Sequence, residues 1–149
     1  MFLKEKNMEK LPPVEKVFEA WTAIVDGRVA VHDGYADVDS SDGKKNYKVR
    51  FAGNRYSSDD NATFWRGYPG YPVLAVMMLR GLLPLDMDLA REWRDVNWKE
   101  VNTKYKNNYA KAVEAVAQER NIDLAASYAA AQTVLKELKR MEIEIRRKI

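Results

Sequence analysis

An uninterrupted apolar segment near the middle of the chain restricts the fold most. It runs from Pro72 to Leu79 and is followed by the helix-breaking residues Gly81 and Pro84. Proline suits the first turn of a helix, where its missing N–H removes no hydrogen bond. A helix that is apolar on all sides must be surrounded by other elements, and this segment is far shorter than the roughly 20 residues that span a bilayer. The sequence therefore predicts a buried central helix in a soluble protein, with no membrane partner.

A small antiparallel sheet is predicted between residues 26 and 54. Asp-Gly dipeptides, which favour tight turns, separate short runs in which apolar residues alternate with polar ones. In the longest run, Tyr47, Val49 and Phe51 alternate with charged or amide residues. A period of two is typical of a strand with one buried face. We therefore expect a meander of three or four strands that is covered on one side.

Helical patterns flank the predicted sheet and central helix. Before the sheet, apolar residues recur at helical spacing over 14–25. After the central helix, a short stripe at 89–96 precedes a helix over 97–120 and a last helix over 123–149. Asn97, with Glu100 three residues later, predicts a cap at the start of the helix over 97–120. We expect an α+β fold with an N-terminal helix, a small antiparallel β-meander, a buried central helix and a C-terminal helical extension.

The composition excludes several classes of protein. The chain has 149 residues, of which 46% are hydrophobic and none is cysteine. This length suits an α+β domain at 1–84 with a helical extension at 85–149 packed on it. The lack of cysteine excludes disulfide bonds and thiolate zinc sites. Lys4, Glu5 and Lys6 interrupt the apolar start that an export signal needs, so we expect a cytoplasmic protein.

No catalytic constellation is recognisable, and we expect no catalytic residue, metal or cofactor. His32 is the single histidine and lies beside a predicted turn, with no nucleophile suggested nearby. Paired aspartates such as Asp59 and Asp60 lie in or beside turns, where aspartate binds its own backbone. Their spacing lacks the Asp-x-Asp-x-Asp-Gly register of a calcium loop, and the glycines form no phosphate-binding motif. An enzyme is therefore the least favoured class.

One stretch resembles a known family. Residues 35–78 combine a hairpin turn at 40–44, a strand that ends in Ser57-Ser58-Asp59-Asp60, a loop, and a helix that starts Pro72-Val73-Leu74-Ala75-Val76. This order resembles the SWIM zinc-finger domain, in which a β-hairpin, a Cys-x-Cys pair, a loop and a Cys-x-His pair lead into an apolar helix. SWIM domains are regarded as interaction modules for nucleic acids or proteins. The resemblance implies a non-enzymatic binding protein.

The four zinc-ligand positions of the SWIM pattern hold other residues in this chain. The pattern places them at Tyr56, Ser58, Gly70 and Pro72. None of these is a metal ligand of the family's kind, so the resemblance implies a degenerate, zinc-free domain. Burial of large aromatic side chains, at roughly 1.5–3 kcal/mol each, can replace the stabilisation that zinc supplies. The aromatic residues available for this are Tyr56, Phe64, Trp65, Tyr68 and Tyr71.

Two groups of residues are candidate contacts with a partner. The loop group is Phe64, Trp65, Arg66 and Tyr68. Aromatic side chains with an arginine between them can stack on bases or anchor a protein partner, and they can equally fill the core. The tail group is Arg140, Arg146, Arg147 and Lys148. The segment 136–149 has six cations and three anions, so the net charge of +3 resides there.

The last helix also allows a structural role. Apolar residues recur at a spacing of four and three from Leu124 to Leu138, which is the geometry of a helix–helix seam. A helix over 123–149 is longer than its neighbour, so Met141, Ile143, Ile145 and Ile149 are expected to lack a partner within the chain. This end is then expected to dock on a second copy or on an acidic partner. The alternative function is a structural homo-oligomer formed through this helix.

Overall fold

The computed structural model describes residues 11–149, which form six α-helices, five β-strands and one π-helical turn. The elements follow one another as α1 (Glu15–Val25), β1 (Val29–Val31), β2 (Tyr35–Asp39), β3 (Asn46–Ala52), β4 (Arg55–Ser58), the π-helical turn (Ala62–Arg66), α2 (Tyr71–Leu79), α3 (Met87–Arg91), α4 (Trp98–Lys104), α5 (Tyr109–Arg120), α6 (Leu124–Arg140) and β5 (Glu144–Ile145). The predicted α+β class, with its N-terminal and C-terminal helices, is confirmed. Among the helices of residues 11–149, none is long and apolar enough to pass through a bilayer.

The sheet is a meander in the order β1-β2-β3-β4-β5. The first four strands pair antiparallel, and β5 pairs parallel with β4. Ala36 of β2 lies opposite Val49 of β3, which lies opposite Ser58 of β4, and all three are buried. This is the face that covers the core, so the predicted period of two is confirmed. Gly43, at φ +73°, allows the tight turn between β2 and β3.

The helix α2 is the buried centre of the fold, as its sequence predicts. Residues 72–78 are all buried, and α2 packs against α1 on one side and the sheet on the other. Val76 and Met77 share one core with Phe18 and Trp21 of α1. The prediction that Leu79 is buried too is wrong, since it is 42% exposed.

The helical part after α2 has one more break than expected. The predicted helix over 97–120 is divided into α4 and α5, because Lys106 and Asn107 take positive φ angles of 53° and 63°. The side chain of Asn108 then caps α5 by accepting from Lys111 N. The predicted cap by Asn97 is confirmed, since its Oδ1 accepts from Glu100 N at 3.1 Å.

The end of the chain differs from its predicted course. The last helix ends at Arg140 instead of Ile149, and the backbone becomes extended at Met141. Ile143 is then only 3% exposed, and Ile145 packs against the core from β5. The expectation that these side chains lack an intramolecular partner is therefore wrong. Isoleucines alternate here with charged residues, a period of two that favours a strand, and the parallel pairing satisfies the edge of β4.

Candidate functional site

The loop between β4 and α2 is held at both ends by one buried carboxylate. Ser58 Oγ donates to Asp60 Oδ1 at 2.5 Å, and the backbone N and the Oγ1 of Thr63 both donate to Asp60 Oδ2 at 3.1 Å. Thr63 Oγ1 accepts in turn from Gly70 N at 2.9 Å. Burial raises the pKa of Asp60, an effect that these hydrogen bonds oppose in part. This network fixes the π-helical turn relative to the sheet.

The fixed loop presents an aromatic pair to solvent. The Trp65 side chain is 66% exposed and meets Phe64 edge to face, with ring centroids 4.8 Å apart. The guanidinium carbon of Arg147 lies 5.2 Å from the Phe64 centroid and 5.1 Å from the Trp65 centroid. Arg147 Nε also donates to the Phe64 carbonyl oxygen at 3.2 Å. The structure thus joins the predicted loop group to the predicted tail group.

Not all of the predicted contact residues belong to this surface. Lys148 follows Arg147 and is exposed, and Arg66 follows Trp65 and is exposed too. Arg146 instead forms an ion pair with Glu144 of β5, with 2.5 Å between Arg146 Nη2 and Glu144 Oε1. Arg140 ends α6, where it pairs with Glu137 at 3.7 Å. The name Trp65 surface is used below for Phe64, Trp65, Arg66, Arg147 and Lys148.

The four residues that the SWIM resemblance would place at ligand positions lie in different surroundings. Ser58 and Gly70 both belong to the hydrogen-bond network of Asp60. Tyr56 is buried, but its hydroxyl accepts from Arg80 Nη1 at 2.5 Å. Pro72 is buried in the first turn of α2. The exposure of Trp65 excludes it as core filler, whereas Tyr56 belongs to the core.

A polar cleft beside the Trp65 surface contains residues that the sequence analysis missed. It lies between α1, the loop after β4, and α4 with the connection that follows it, and Arg66 and Tyr68 line it from the loop. At its wall, Glu19 Oε2 accepts from Lys16 Nζ at 3.1 Å and from Asn102 Nδ2 at 3.2 Å. The signal in the sequence is that Lys16 and Glu19 lie three residues apart in a helix whose next turns are mostly apolar.

Electrostatics within this cleft favour a charged Lys16. Burial lowers the pKa of its amine, but the charge and hydrogen bond of Glu19, together with smaller contributions from Tyr109 and Tyr68, outweigh this effect and raise the pKa above its ordinary value. The amine also lies 4.2 Å from the centroid of the Tyr109 ring. Burial raises the pKa of Tyr71, a further lining residue, so its phenol stays neutral and can donate a hydrogen bond.

His32 belongs to a small cluster with Tyr35 and Asp37, apart from the network of Asp60. His32 stacks on Tyr35 at 4.7 Å, and its Nε2 lies 3.4 Å from Asp37, on the outer side of the sheet. Between residues 11 and 149, no three His, Cys, Asp or Glu side chains form a group that could hold a metal ion.

Comparison with known proteins gives a family. The family model described as "Uncharacterised conserved protein UCP014422" matches residues 9–144, which is most of the chain. No curated protein and no solved structure matches the chain.

Proposed function

The chain belongs to the family of uncharacterised conserved proteins UCP014422, and for this member we propose a non-enzymatic binding function, with single-stranded nucleic acid bound at the Trp65 surface. One observation carries the proposal. A tryptophan that is 66% exposed is held beside an arginine guanidinium 5.1 Å from its ring centroid. Exposed aromatic rings stack on bases of any sequence, and arginine adds cation–π and phosphate contacts.

The charge of the Trp65 surface favours nucleic acid over a protein partner. Arg66, Arg147 and Lys148 form no ion pair with a carboxylate of residues 11–149. Positive charge beside a stacking platform attracts the phosphate backbone, and the release of its counterions adds to the affinity. Tryptophan and arginine also anchor protein interfaces, so a protein partner is the alternative outcome of the experiment.

The resemblance to SWIM domains remains part of this proposal. Ser58 and Gly70, at two of the vacated ligand positions, are linked to each other through Thr63 and Asp60. We propose that this hydrogen-bonded network takes over the structural role of zinc, with burial of Tyr56 as a further contribution. A cytoplasmic location is also proposed, and cell fractionation tests it.

The test compares two variants that remove the same charge. Filter binding of labelled single-stranded DNA is measured for the wild type, Trp65→Ala, Arg147→Gln and Arg140→Gln over a range of salt concentrations. Loss of one stacked base is expected to weaken binding about 5–150-fold in Trp65→Ala. Arg147→Gln is expected to weaken binding and to reduce the salt slope by about 0.7, the value for one phosphate contact.

Arg140→Gln is the matched control, because Arg140 lies at the end of α6 and contacts Glu137. It is expected to leave the affinity within about twofold, since the Arg140 charge is already paired with Glu137 and is further screened by salt at an exposed position. Equal losses in the two arginine variants would mean that only net charge matters. That result, or the lack of salt-dependent binding by the wild type, would overturn the nucleic-acid proposal.

Self-association through the last helix is the alternative function. It was expected because apolar side chains near the end of the chain were predicted to lack partners within the chain. In the structure, Ile143 belongs to the core and Ile145 packs against it, so this argument is weakened. Sedimentation of the wild type over a range of concentrations tests it, because a constant monomer mass would exclude a homo-oligomer.

A further inference from the structure

An Asp-Gly dipeptide occurs at three turns of the chain, as Asp26-Gly27, Asp33-Gly34 and Asp42-Gly43. This dipeptide can rearrange without an enzyme, because glycine has no side chain to hinder attack by its backbone nitrogen on the preceding aspartate side chain. The attack needs a carboxyl group that can turn towards the backbone and a glycine N–H that is not hydrogen-bonded elsewhere. The three sites share the same two residues, so the structure around each one decides its reactivity.

At Asp26-Gly27 both reacting groups are held. Asp26 Oδ1 and Oδ2 accept from Asp95 N at 2.9 and 3.2 Å. Gly27 N donates to Ile24 O at 3.1 Å, at the end of α1. The carboxylate therefore cannot reach Gly27 N until hydrogen bonds of both residues are broken.

Asp42-Gly43 is held in the same way, in the turn between β2 and β3. Asp42 Oδ1 accepts from Ser40 Oγ at 2.7 Å and from Lys44 N at 3.0 Å. Gly43 N donates to Ser40 O at 2.9 Å. The hydrogen bonds from Lys44 N and Ser40 Oγ also lower the pKa of Asp42, and an ionised carboxylate is a poor target for a nucleophile.

Asp33-Gly34 has neither restraint. It forms the tip of the hairpin between β1 and β2, which is closed by a hydrogen bond from His32 N to Tyr35 O at 2.7 Å, and both of its residues are exposed. Within residues 11–149, the Asp33 carboxylate takes part in no hydrogen bond or ion pair, and Gly34 N donates to no acceptor. Both reacting groups are therefore available only at this site of the three.

We propose that Asp33 is a site of spontaneous modification, at which aspartate isomerises to isoaspartate. Gly34 N attacks the carboxyl carbon of Asp33 to form a C–N bond, and one water leaves with the carboxyl oxygen and the amide hydrogen. A second water then opens the cyclic succinimide. Opening at the backbone carbonyl carbon of Asp33 gives isoaspartate, whereas opening at the side-chain carbonyl restores aspartate. The water released is consumed again, so no oxidant or other reactant is needed.

The product lengthens the turn, because the chain of isoaspartate runs through Cβ and contains one extra backbone carbon. The hydrogen bond from His32 N to Tyr35 O depends on the geometry of this short loop. The change lies at the side of the molecule, since β1 is the first strand in the order of the described sheet and Val31 and His32 are exposed. Isoaspartate can therefore accumulate in protein that stays folded, independently of any binding at the Trp65 surface.

The test is incubation of the full-length protein at neutral pH, followed by labelling with a protein isoaspartyl methyltransferase and peptide mapping. This enzyme methylates the free carboxylate of isoaspartate, so the label locates the product. In the folded protein, label is expected at Asp33 and to be at least about tenfold lower at Asp26 and Asp42, where two or more hydrogen bonds must break first. Label that is absent from Asp33, or equal at the three sites, would overturn the proposal.

Unfolded protein is the control for effects of the local sequence. In concentrated urea the hydrogen bonds around Asp26 and Asp42 are lost, so the three sites are expected to form isoaspartate at comparable rates. If Asp26 and Asp42 stay unlabelled in urea, neighbouring residues in the sequence protect them, and the structural explanation is wrong.

Two variants at position 33 complete the test, with circular dichroism to verify that each is folded. Asp33→Glu is expected to abolish the label at this position, because the larger ring that glutamate must form closes far more slowly. Asp33→Asn is expected to form isoaspartate faster, because asparagine reaches the same succinimide with loss of ammonia, and Asn-Gly suits the same turn. A label that persists in Asp33→Glu, or an unchanged rate in Asp33→Asn, would contradict attack by Gly34 N on this side chain.

Discussion

At the scale of single residues, glycine is required at position 70 because there is no room for a side chain there. Its φ of −76° is open to any residue, but a Cβ at this position would lie 2.2 Å from Asp60 Oδ2 and 3.1 Å from Asp60 Cγ. The carboxylate cannot move away without losing its bonds to Ser58 and Thr63. The glycine at this position therefore makes room for the buried acid.

We expect Gly70→Ala to lower the free energy of unfolding by about 1–3 kcal/mol, because the added methyl overpacks this site. Urea denaturation followed by circular dichroism measures the change. Asp60→Ala should also destabilise, since it leaves buried donors without acceptors. The double variant is expected to lose less than the sum of both, because the clash disappears with the carboxylate. Strictly additive losses would contradict this explanation.

At the scale of elements, β5 anchors the end of the described chain to the sheet. Glu144 N donates to Asn54 O at 2.9 Å, and Arg146 N donates to Tyr56 O at 2.8 Å. Ile143, just before the strand, is 3% exposed, whereas Ile149 is 46% exposed. The same residue type thus occurs in two environments within one short segment.

We expect Ile143→Ala to cost about 2–5 kcal/mol in the free energy of unfolding, the usual range for a buried isoleucine. Ile149→Ala is the control and should change it by less than about 0.5 kcal/mol. Thermal and urea unfolding of both variants supply the comparison. Similar stabilities for the two would mean that β5 is not docked as described.

The elements that could be predicted are those with a strong local signal. The turn at Gly43, the cap at Asn97 and the apolar helix α2 each follow from residues near in sequence. The course after Arg140 was mistaken because a helical spacing from Leu124 was extended through residues that also alternate with a period of two. The local sequence is compatible with either structure, and pairing with the edge of β4, which is distant in sequence, decides for the strand.

The candidate site could be predicted in its composition but not in its assembly. Local composition makes Trp65 and the basic tail candidates for partner contacts, but it leaves open whether Trp65 is exposed or buried. Their contact through Arg147 depends on how β5 docks. The polar cleft beside Glu19 could not be predicted, because Glu19 and Asn102 are 83 residues apart and each is an ordinary polar residue of a helix. The two side chains form their hydrogen bond only when α1 and α4 pack together.

At the scale of the whole molecule, a threonine links the two halves of the chain. Thr22 Oγ1 in α1 donates to the carbonyl oxygen of Trp93 at 2.6 Å and accepts from Trp98 Nε1 at 2.9 Å. Trp93 Nε1 donates in turn to Ser127 Oγ of α6 at 3.1 Å. One buried core includes residues from α1 through to Ile143. We therefore expect the described chain to unfold in a single transition.

Thr22→Val tests this link, because it keeps the shape of the side chain and removes its hydrogen bonds. It is expected to lower the free energy of unfolding by about 1–3 kcal/mol, since the Trp98 indole N–H is left buried without an acceptor. Thr133→Val is the control, as Thr133 is exposed on α6 and bonds only to its own helix. It should change stability by less than about 0.5 kcal/mol. Two separate transitions in the wild type would contradict the single core.

The positions of the tryptophans allow intrinsic fluorescence to report separately on the core and on the Trp65 surface. Trp21, Trp93 and Trp98 are at most 3% exposed, whereas Trp65 is 66% exposed. Intrinsic fluorescence should therefore consist of a blue-shifted component that acrylamide hardly quenches and a red-shifted component that it quenches readily. A ligand stacked on Trp65 would protect the red component and leave the blue one unchanged, whereas denaturation would shift the blue one. Trp65→Phe, which removes the red component, would then give a protein whose emission reports on the interior alone.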